Sequence, residues 1–276
     1  MALTLNSNLA SLRAANTLNG TQGALSHTLA RISSGLRVVT AADDAAGAAV
    51  AANLQTQARS GRQAIRNSND GLSVIQTAEA ATSEVVNILD RMRELAVQSA
   101  SETLASGERG YINDEFDDLS NEIQRIAKAT EFNDIALADG TNTTLTVQVG
   151  VDGGTESEVA ITLGDLTSST LGVGTGDVDL TTATGAQTAL TTIDTALDSV
   201  NDIRAEYGSS SNRLGSAIGN MTSYVEALTS AASQIMDADY AHETAEMTRL
   251  QVMQQAGVAA LAQARTMNQS VISLLG

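Results

Sequence analysis

The sequence lacks several residues that most globular domains contain. Its 276 residues include no Pro, no Cys and no Trp, and only two Phe and four Tyr. Without Pro, nothing in the chain forces a helix to break, so long uninterrupted helices are expected. Without Cys, disulfides, thiol nucleophiles and cysteine-ligated metals are excluded. The shortage of large aromatic side chains favours thin helical layers over a thick globular core.

Basic residues are also scarce, which limits the partners that the chain can have. Fifteen Lys and Arg stand against 32 Asp and Glu, so the formal net charge is -17. A surface this acidic repels phosphate, and nucleic acid is not expected as a partner. No run of 18 apolar residues occurs, so no membrane partner is expected. The N-terminus has no basic region that leads into an apolar run, and a cleaved signal peptide is not expected either.

Apolar residues recur at helical spacing near both ends of the chain. The C-terminal 26 residues carry a single charge, Arg265, so this face should be buried. Ordering a residue costs about 1–2 kcal/mol of backbone entropy, which two helices meeting along one edge barely offset. We therefore predict that the termini fold on association with further copies and form the core of a polymer. The predicted core residues are Leu5, Leu9, Leu12, Leu25, Leu29, Ile32, Leu36, Leu250, Met253, Leu261, Met267, Val271, Leu274 and Leu275.

Breaks in the helical pattern divide the chain into five segments. Gly35 is a predicted helix stop, and Thr40 or Asp43 a predicted N-cap of the next helix. The segments are an N-terminal core helix with its connector (1–42), a long helical hairpin (43–139), a short acidic β-hairpin and loop (140–186), an inner helix (187–234) and a C-terminal core helix (235–276). The predicted fold class is mainly α, a long antiparallel bundle or coiled coil built from both termini with a small central β-hairpin insert.

The central insert is predicted from alternation rather than from helical spacing. Apolar residues alternate with polar ones over 145–151 and again over 159–163, around the turn Asp152-Gly153-Gly154. Gly, Thr, Ser and Asp dominate residues 164–185, which predicts an irregular surface loop. Gly71 is a predicted weak point of the long helix before the insert.

Several motifs resemble sites of chemistry but lack an essential part. His242-Glu243-x-x-Glu246 begins like a zinc motif, but Glu replaces the second His. A run of three alternate Gly at 172–176 has neither the spacing nor the Lys of a phosphate loop. Asp43-Asp44 and the Asp237/Asp239 pair lie near helix starts, where carboxylates favour the helix dipole. We predict no catalytic site, no metal and no cofactor, and therefore no enzyme.

The ends of the chain carry motifs of a known family. The N-terminal stretches are "LNSNLASLRAANTLN", "RISSGLRVVTAADDAAG", "NDGLSVIQTAEAA" and "LDRMRELAVQSAS", and the C-terminal ones are "DADYAHETAEMTRLQVMQQAGVAALAQA" and "SVISLL". With these the chain resembles bacterial flagellin, in a short form with little outer variable domain. The resemblance implies a filament subunit that is exported unfolded through the flagellar type III apparatus and polymerises outside the cell into a propeller for motility. Implied partners are the flagellar cap, hook-filament junction proteins and an export chaperone.

The resemblance also implies a second recognition site. "LDRMRELAVQ" is similar to the segment that a vertebrate Toll-like receptor reads in flagellins, which indicates Leu89, Arg91, Glu94, Leu95 and Glu115 as contacts. Asp90 departs from the Gln common in that segment, and subunit packing is the alternative role. The alternative for the whole chain is a hook-filament junction protein, which resembles flagellin at both ends. A helical scaffold of another kind would show the same heptads without the terminal motifs.

Overall fold

The computed structural model describes the backbone of residues 8–275 and the side chains of residues 8–266. The fold is mainly α, as predicted, and it divides into two compact units. The described residues up to Thr56, with those from Ala227 onwards, form the terminal unit, and Gln57–Glu226 form the inner unit. The elements are α1 (Leu9–Ser34), α2 (Ala45–Ser99), α3 (Ser106–Ala129), β1 (Glu131–Phe132), β2 (Ile135–Ala136), β3 (Thr144–Gln148), β4 (Glu158–Thr162), α4 (Ala183–Met236) and α5 (Tyr240–Leu275).

The connector between α1 and α2 shows why the first helix stops. Gly35 takes a left-handed backbone, φ 71°, and its N–H donates to the Arg31 carbonyl at 2.8 Å, so the predicted stop is confirmed. The predicted N-cap is wrong by one residue. The Asp44 carboxylate accepts from the backbone N–H of Gly47 at 2.8 Å and caps α2. Asp43 instead accepts from the N–H groups of Val39 and Thr40.

The helices of the inner unit share a core that runs along α2, α3 and α4. One apolar face of α2 is buried, with Val85, Leu89 and Met92 at its centre. Residues 100–105 join α2 to α3, whose Phe116 and Ile123 are fully buried in the same core. Gly71 does not interrupt α2, since the helix is continuous from Ala45 to Ser99. A Cβ at Gly71 would lie 3.0 Å from the Val147 side chain, so Gly here permits close packing of the insert.

The β-hairpin insert packs on α2 and α4. Strands β3 and β4 are antiparallel in the register Thr144↔Thr162 to Gln148↔Glu158, and a 3-10 turn at Thr155–Ser157 precedes β4. The inward face of the hairpin joins a second core around Ile75, Tyr207 and Leu214. Strands β1 and β2 form a smaller hairpin, whose Asn133 and Asp134 take positive φ values of 49° and 63°. Asn and Asp tolerate that backbone better than other non-Gly residues do, which suits this turn.

The segment predicted as an irregular surface loop is in fact part of the core. Residues 164–182 form no helix or named strand, but five of their apolar side chains are buried beneath the three helices: Leu166, Leu171, Val173, Val178 and Leu180. Backbone bonds fix the segment, since the Leu166 N–H donates to the Ala138 carbonyl at 2.9 Å. The next helix begins at Ala183, four residues before the predicted 187, and α5 begins at Tyr240 rather than 235.

Candidate assembly surfaces

The terminal unit pairs α1 with α5 in antiparallel orientation. The Asn8 side chain donates to the Ala264 carbonyl at 3.0 Å, and at the other end the Tyr240 hydroxyl donates to the Ile32 carbonyl at 2.8 Å. Gly257 lies against Leu18, where an added Cβ would come within 3.3 Å of the Leu18 side chain. The two helices therefore lie side by side from Tyr240 to Ala264 of α5.

Small and hydroxyl side chains form much of this α1–α5 seam. Buried or half-buried positions on α1 follow heptad spacing: Ser11, Ala14, Leu18, Thr21, Leu25, Thr28 and Ile32. Of the residues predicted for the polymer core, Leu25 and Leu250 are buried inside this seam. Ile32, Leu36 and Leu261 are half-buried. Leu5 and the side chains of Met267, Val271, Leu274 and Leu275 lie outside the described residues.

One ion pair crosses the α1–α5 seam. Arg31 Nη1 lies 3.3 Å from the carboxylate of Glu243, whose residue is only 5% exposed. A buried carboxylate is costly without a partner, so this pair favours one register of α1 on α5 over a slipped one. Glu243 and Glu246 are the carboxylates of the incomplete zinc motif, and each has an arginine partner, Arg31 and Arg249 respectively.

The other carboxylate pairs hold the connectors of the terminal unit. Asp43 accepts from the ring of His27 at 2.8 Å, and Asp239 accepts from the N–H of Ala241 at 2.9 Å at the start of α5. The backbone N–H of Thr40 is the main cause that lowers the pKa of Asp43. These carboxylates therefore cap and brace turns. Among the described residues, no three His, Asp or Glu side chains group in a way that could hold a metal ion.

The α1–α5 pair leaves large apolar side chains in solvent. Four of the residues predicted for the polymer core are exposed: Leu9, Leu12, Leu29 and Met253. Val252 and Val258 on α5, which are not among the predicted core residues, are exposed as well. In all, nine of the twelve exposed large hydrophobic residues described lie in the terminal unit: Leu9, Leu12, Leu29, Val39, Val50, Tyr240, Val252, Met253 and Val258. A concentration of this kind marks an interaction surface.

The residues predicted for receptor recognition divide between core and surface. Leu89 and Leu95 are buried in the core of the inner unit. Arg91 is exposed and forms ion pairs with Glu115 at 2.7 Å and with Glu94 at 3.0 Å. The hydrogen bond to Glu115 is the main cause that raises the pKa of Arg91. A partner protein can therefore reach the three charged residues, whereas the two leucines serve packing.

A helical protein whose terminal helices leave apolar faces uncovered has the architecture of a self-assembling subunit. Comparison with known proteins identifies the kind of assembly. Residues 5–143 match the bacterial flagellin N-terminal helical region, and residues 190–275 match the C-terminal helical region. The chain therefore belongs to the bacterial flagellin family. It is a structural subunit of the flagellar filament, which is extracellular and formed by self-polymerisation, and it is not an enzyme.

Individual relatives agree with this assignment. The chain is 44% identical to a flagellin of Halalkalibacterium halodurans over 89% of both chains, and 30% identical to flagellin B of Vibrio cholerae over the whole of both. The crystal structure of Bacillus cereus flagellin matches with a TM-score of 0.50 and 32% identity, over 56% of this chain and 88% of that one. A structure from Vibrio parahaemolyticus described as a flagellar hook-associated protein shares the fold, with a TM-score of 0.59 and 16% identity over 71% of this chain and all of that one.

None of the helices, within the residues that the structure describes, combines the length and the apolar character needed to cross a bilayer.

Proposed function

We propose that the chain polymerises through the exposed apolar face of the α1–α5 pair, which other copies cover in the filament. The observation that carries this is the concentration of exposed large hydrophobic residues on the terminal unit, while the inner unit buries most of its own. Fully burying one Leu, Val or Met side chain contributes about 1.5–3 kcal/mol. Covering several on each subunit offsets the cost of fixing the subunit in place.

The predicted core residues that lie outside the described side chains belong to the same proposal. Leu5, Met267, Val271, Leu274 and Leu275 continue the helical spacing of the apolar residues, so we expect them to be buried between copies. A subunit contact that joins two different surfaces and repeats without closing produces a helical filament. This is the geometry that a propeller of many identical copies needs.

The route to the filament and its other partners are also part of the proposal. The subunit is exported unfolded through the flagellar type III apparatus, without a cleaved signal, and it meets an export chaperone, the cap and hook-filament junction proteins. A chain without Cys or Pro forms no disulfide and has no slow prolyl isomerisation, so it suits passage and refolding. Export from cells with and without the type III apparatus, followed by protein sequencing of the exported N-terminus, tests this route.

Electron microscopy of purified subunit, with and without short sheared seeds of the same protein, tests the polymer. Long uniform filaments should grow from the seeds. A matched pair of variants then tests the surface: Val252→Asp in the terminal unit and Val97→Asp in the inner unit, whose wild-type residues are 60% and 52% exposed. We expect Val252→Asp to block growth and Val97→Asp to permit it, because only the first puts a charge into a dry helix contact.

Three outcomes would contradict the proposal in different ways. Growth of Val252→Asp at the wild-type rate would show that this face is not covered by other copies. Loss of growth in Val97→Asp alone would place the contact on the inner unit. Short adaptors that stop after a few layers would favour the alternative, a hook-filament junction protein.

We also propose that the exposed Arg91 cluster is recognised by a vertebrate Toll-like receptor. Three fixed, exposed charges on neighbouring helices support this, since arginine with defined partners is typical of protein recognition sites. Arg91→Ala should reduce receptor signalling in a reporter cell line. Arg125→Ala is the matched control, because Arg125 is exposed and ion-paired with Glu122 on α3. Equal signalling by both variants and the wild type would refute this role and leave the cluster to packing.

A further inference from the structure

A groove in the inner unit lies between the turn of the β3–β4 hairpin and α4. Its volume is about 830 Å³, and its hairpin side carries Asp152, Glu156 and Glu158. Its helical side carries one cation, Arg213, beside the uncharged Met221 and Tyr224. The groove therefore has an excess of acid and enough apolar surface to hold the stems of long side chains.

The chain does little to neutralise these acids itself. Residues 129–203 contain twelve Asp and Glu and no Lys or Arg. Every described ion pair involves other carboxylates, so neither Glu156 nor Glu158 has a cation within salt-bridge distance among the residues that the structure describes. The groove is thus an acidic surface available to a basic partner.

A basic surface lies on α2, just after the helix enters the inner unit at Gln57. Arg59, Arg62 and Arg66 are exposed and spaced by three and four residues, so they lie on one face of the helix. Gly61, Ala64 and Ser68 are buried on its other side. No acid occurs within residues 45–69, although acids outnumber bases twofold in the whole chain. We call Arg59, Arg62 and Arg66 the basic stripe.

We propose that the basic stripe of one copy docks in the acidic groove of the next copy in the polymer. This inference rests on the proposed polymerisation and adds a specific contact of the inner unit to it. The two surfaces differ and both lie on one unit, so the contact is head to tail and can repeat without closing. Arginine side chains suit such a groove, because each brings a charge and an apolar stem.

Charge reversal in two separate chains tests the pairing. One variant is Arg62→Glu with Arg66→Glu, and the other is Glu156→Arg with Glu158→Arg. Each alone places like charges against each other at every contact, and its critical concentration should rise by roughly tenfold or more. An equimolar mixture should assemble, because the stripe of each chain then matches the groove of the other. Lys128→Glu, a reversal of an exposed base outside both surfaces, is the control, and circular dichroism verifies that all monomers remain folded.

The outcomes separate this inference from the proposed function. Assembly of Arg62→Glu/Arg66→Glu at the wild-type critical concentration would overturn the pairing. The proposed polymerisation would still hold if the wild type grew from seeds. Failure of the mixture as well as of both variants would also overturn it. A third outcome is that the mixture fails while a single chain with all four substitutions assembles. The stripe and the groove would then attract each other within one subunit, and the contact between copies would be refuted. Failure of the wild type to assemble would remove the proposed function and the inference together.

Discussion

Replacing Leu12 with Ala should weaken assembly without weakening the subunit. Leu12 is 60% exposed on α1, so it contributes little to the α1–α5 seam but much to any surface that covers it. Burying that fraction of a Leu contributes about 1–2 kcal/mol, of which Ala keeps a part, so the expected loss is about 1 kcal/mol per subunit. Because 1.4 kcal/mol is a tenfold change in an equilibrium constant, the critical concentration should rise about fivefold.

The assay is sedimentation of seeded filaments over a series of total protein concentrations, which gives the critical concentration directly. Adding Val252→Ala to Leu12→Ala should raise it about 25-fold, since distant sites contribute additively. Far-UV circular dichroism of the monomer should stay constant or rise, because Ala is the better helix former. Val97→Ala in the inner unit is the control and should change nothing. An unchanged critical concentration for the double variant, with intact monomer helices, would refute the assignment of this face to the polymer core.

Three further predictions concern the stability of the two units. Burial raises the pKa of the Tyr207 hydroxyl, so stability that is fully present below about pH 10 should be lost as the pH rises through the folded pKa. Urea unfolding at pH 8 and pH 11 should therefore show a smaller loss of stability for Tyr207→Phe than for the wild type. Leu89→Ala should cost about 2–5 kcal/mol in urea unfolding because Leu89 is fully buried, whereas Arg91→Ala should leave the midpoint unchanged; equal effects would contradict the division of that segment. Amide hydrogen exchange of the terminal unit should slow markedly on assembly and that of the inner core should not, and equal protection of the terminal unit before and after assembly would refute folding on association.

The long helices could be predicted because their signal is repeated many times. Along α2 and α3 an apolar residue occurs every three or four positions, and no Pro interrupts the pattern. The buried faces follow that spacing and include Met92 on α2 and Phe116 on α3. The β3–β4 hairpin could also be predicted, since apolar and polar residues alternate on both sides of a Gly-rich turn. In each case, one local rule agreed with the tertiary burial.

The segment 164–182 could not be predicted because its burial depends on distant residues. Its composition is typical of a surface loop, and its few apolar residues follow neither helical spacing nor the alternation of a strand. They are buried because α2, α3 and α4 offer a common apolar surface. Hydrogen bonds to these helices, such as the one that the Leu180 N–H donates to the Asn113 side chain, hold the segment there. A run of residues whose apolar members are separated by Gly and Asp can therefore fill a core without regular structure.

Which apolar residues of the terminal helices stay exposed in the subunit could be predicted only in part. The residues predicted for the polymer core on α1 are its larger aliphatic side chains, Leu9, Leu12, Leu25, Leu29 and Ile32. The α1–α5 seam also contains Thr21 and Thr28 at heptad positions, and Gly257 on α5 permits a close helix approach. Leu9, Leu12 and Leu29 consequently point away from the seam and remain exposed. The signal that could have shown this is the heptad spacing that joins Ser11, Ala14 and Leu18 to Thr21, Leu25, Thr28 and Ile32 and leaves out Leu9, Leu12 and Leu29.

Because Leu9, Leu12 and Leu29 lie outside the α1–α5 seam, the stability of the monomer and the strength of assembly depend on different residues. If Leu9, Leu12 and Leu29 also formed the intramolecular seam, a mutation of one of them that weakened the polymer would also weaken the pairing of α1 with α5. Because the heptad positions and the Arg31–Glu243 pair form the seam, the three leucines outside it are available to contacts between copies. The inner unit closes a core of its own, so its fold does not depend on either set. Assembly strength can therefore change through Leu12 or Val252 while the monomer keeps its register, whereas Leu25 and Leu250 couple the two properties.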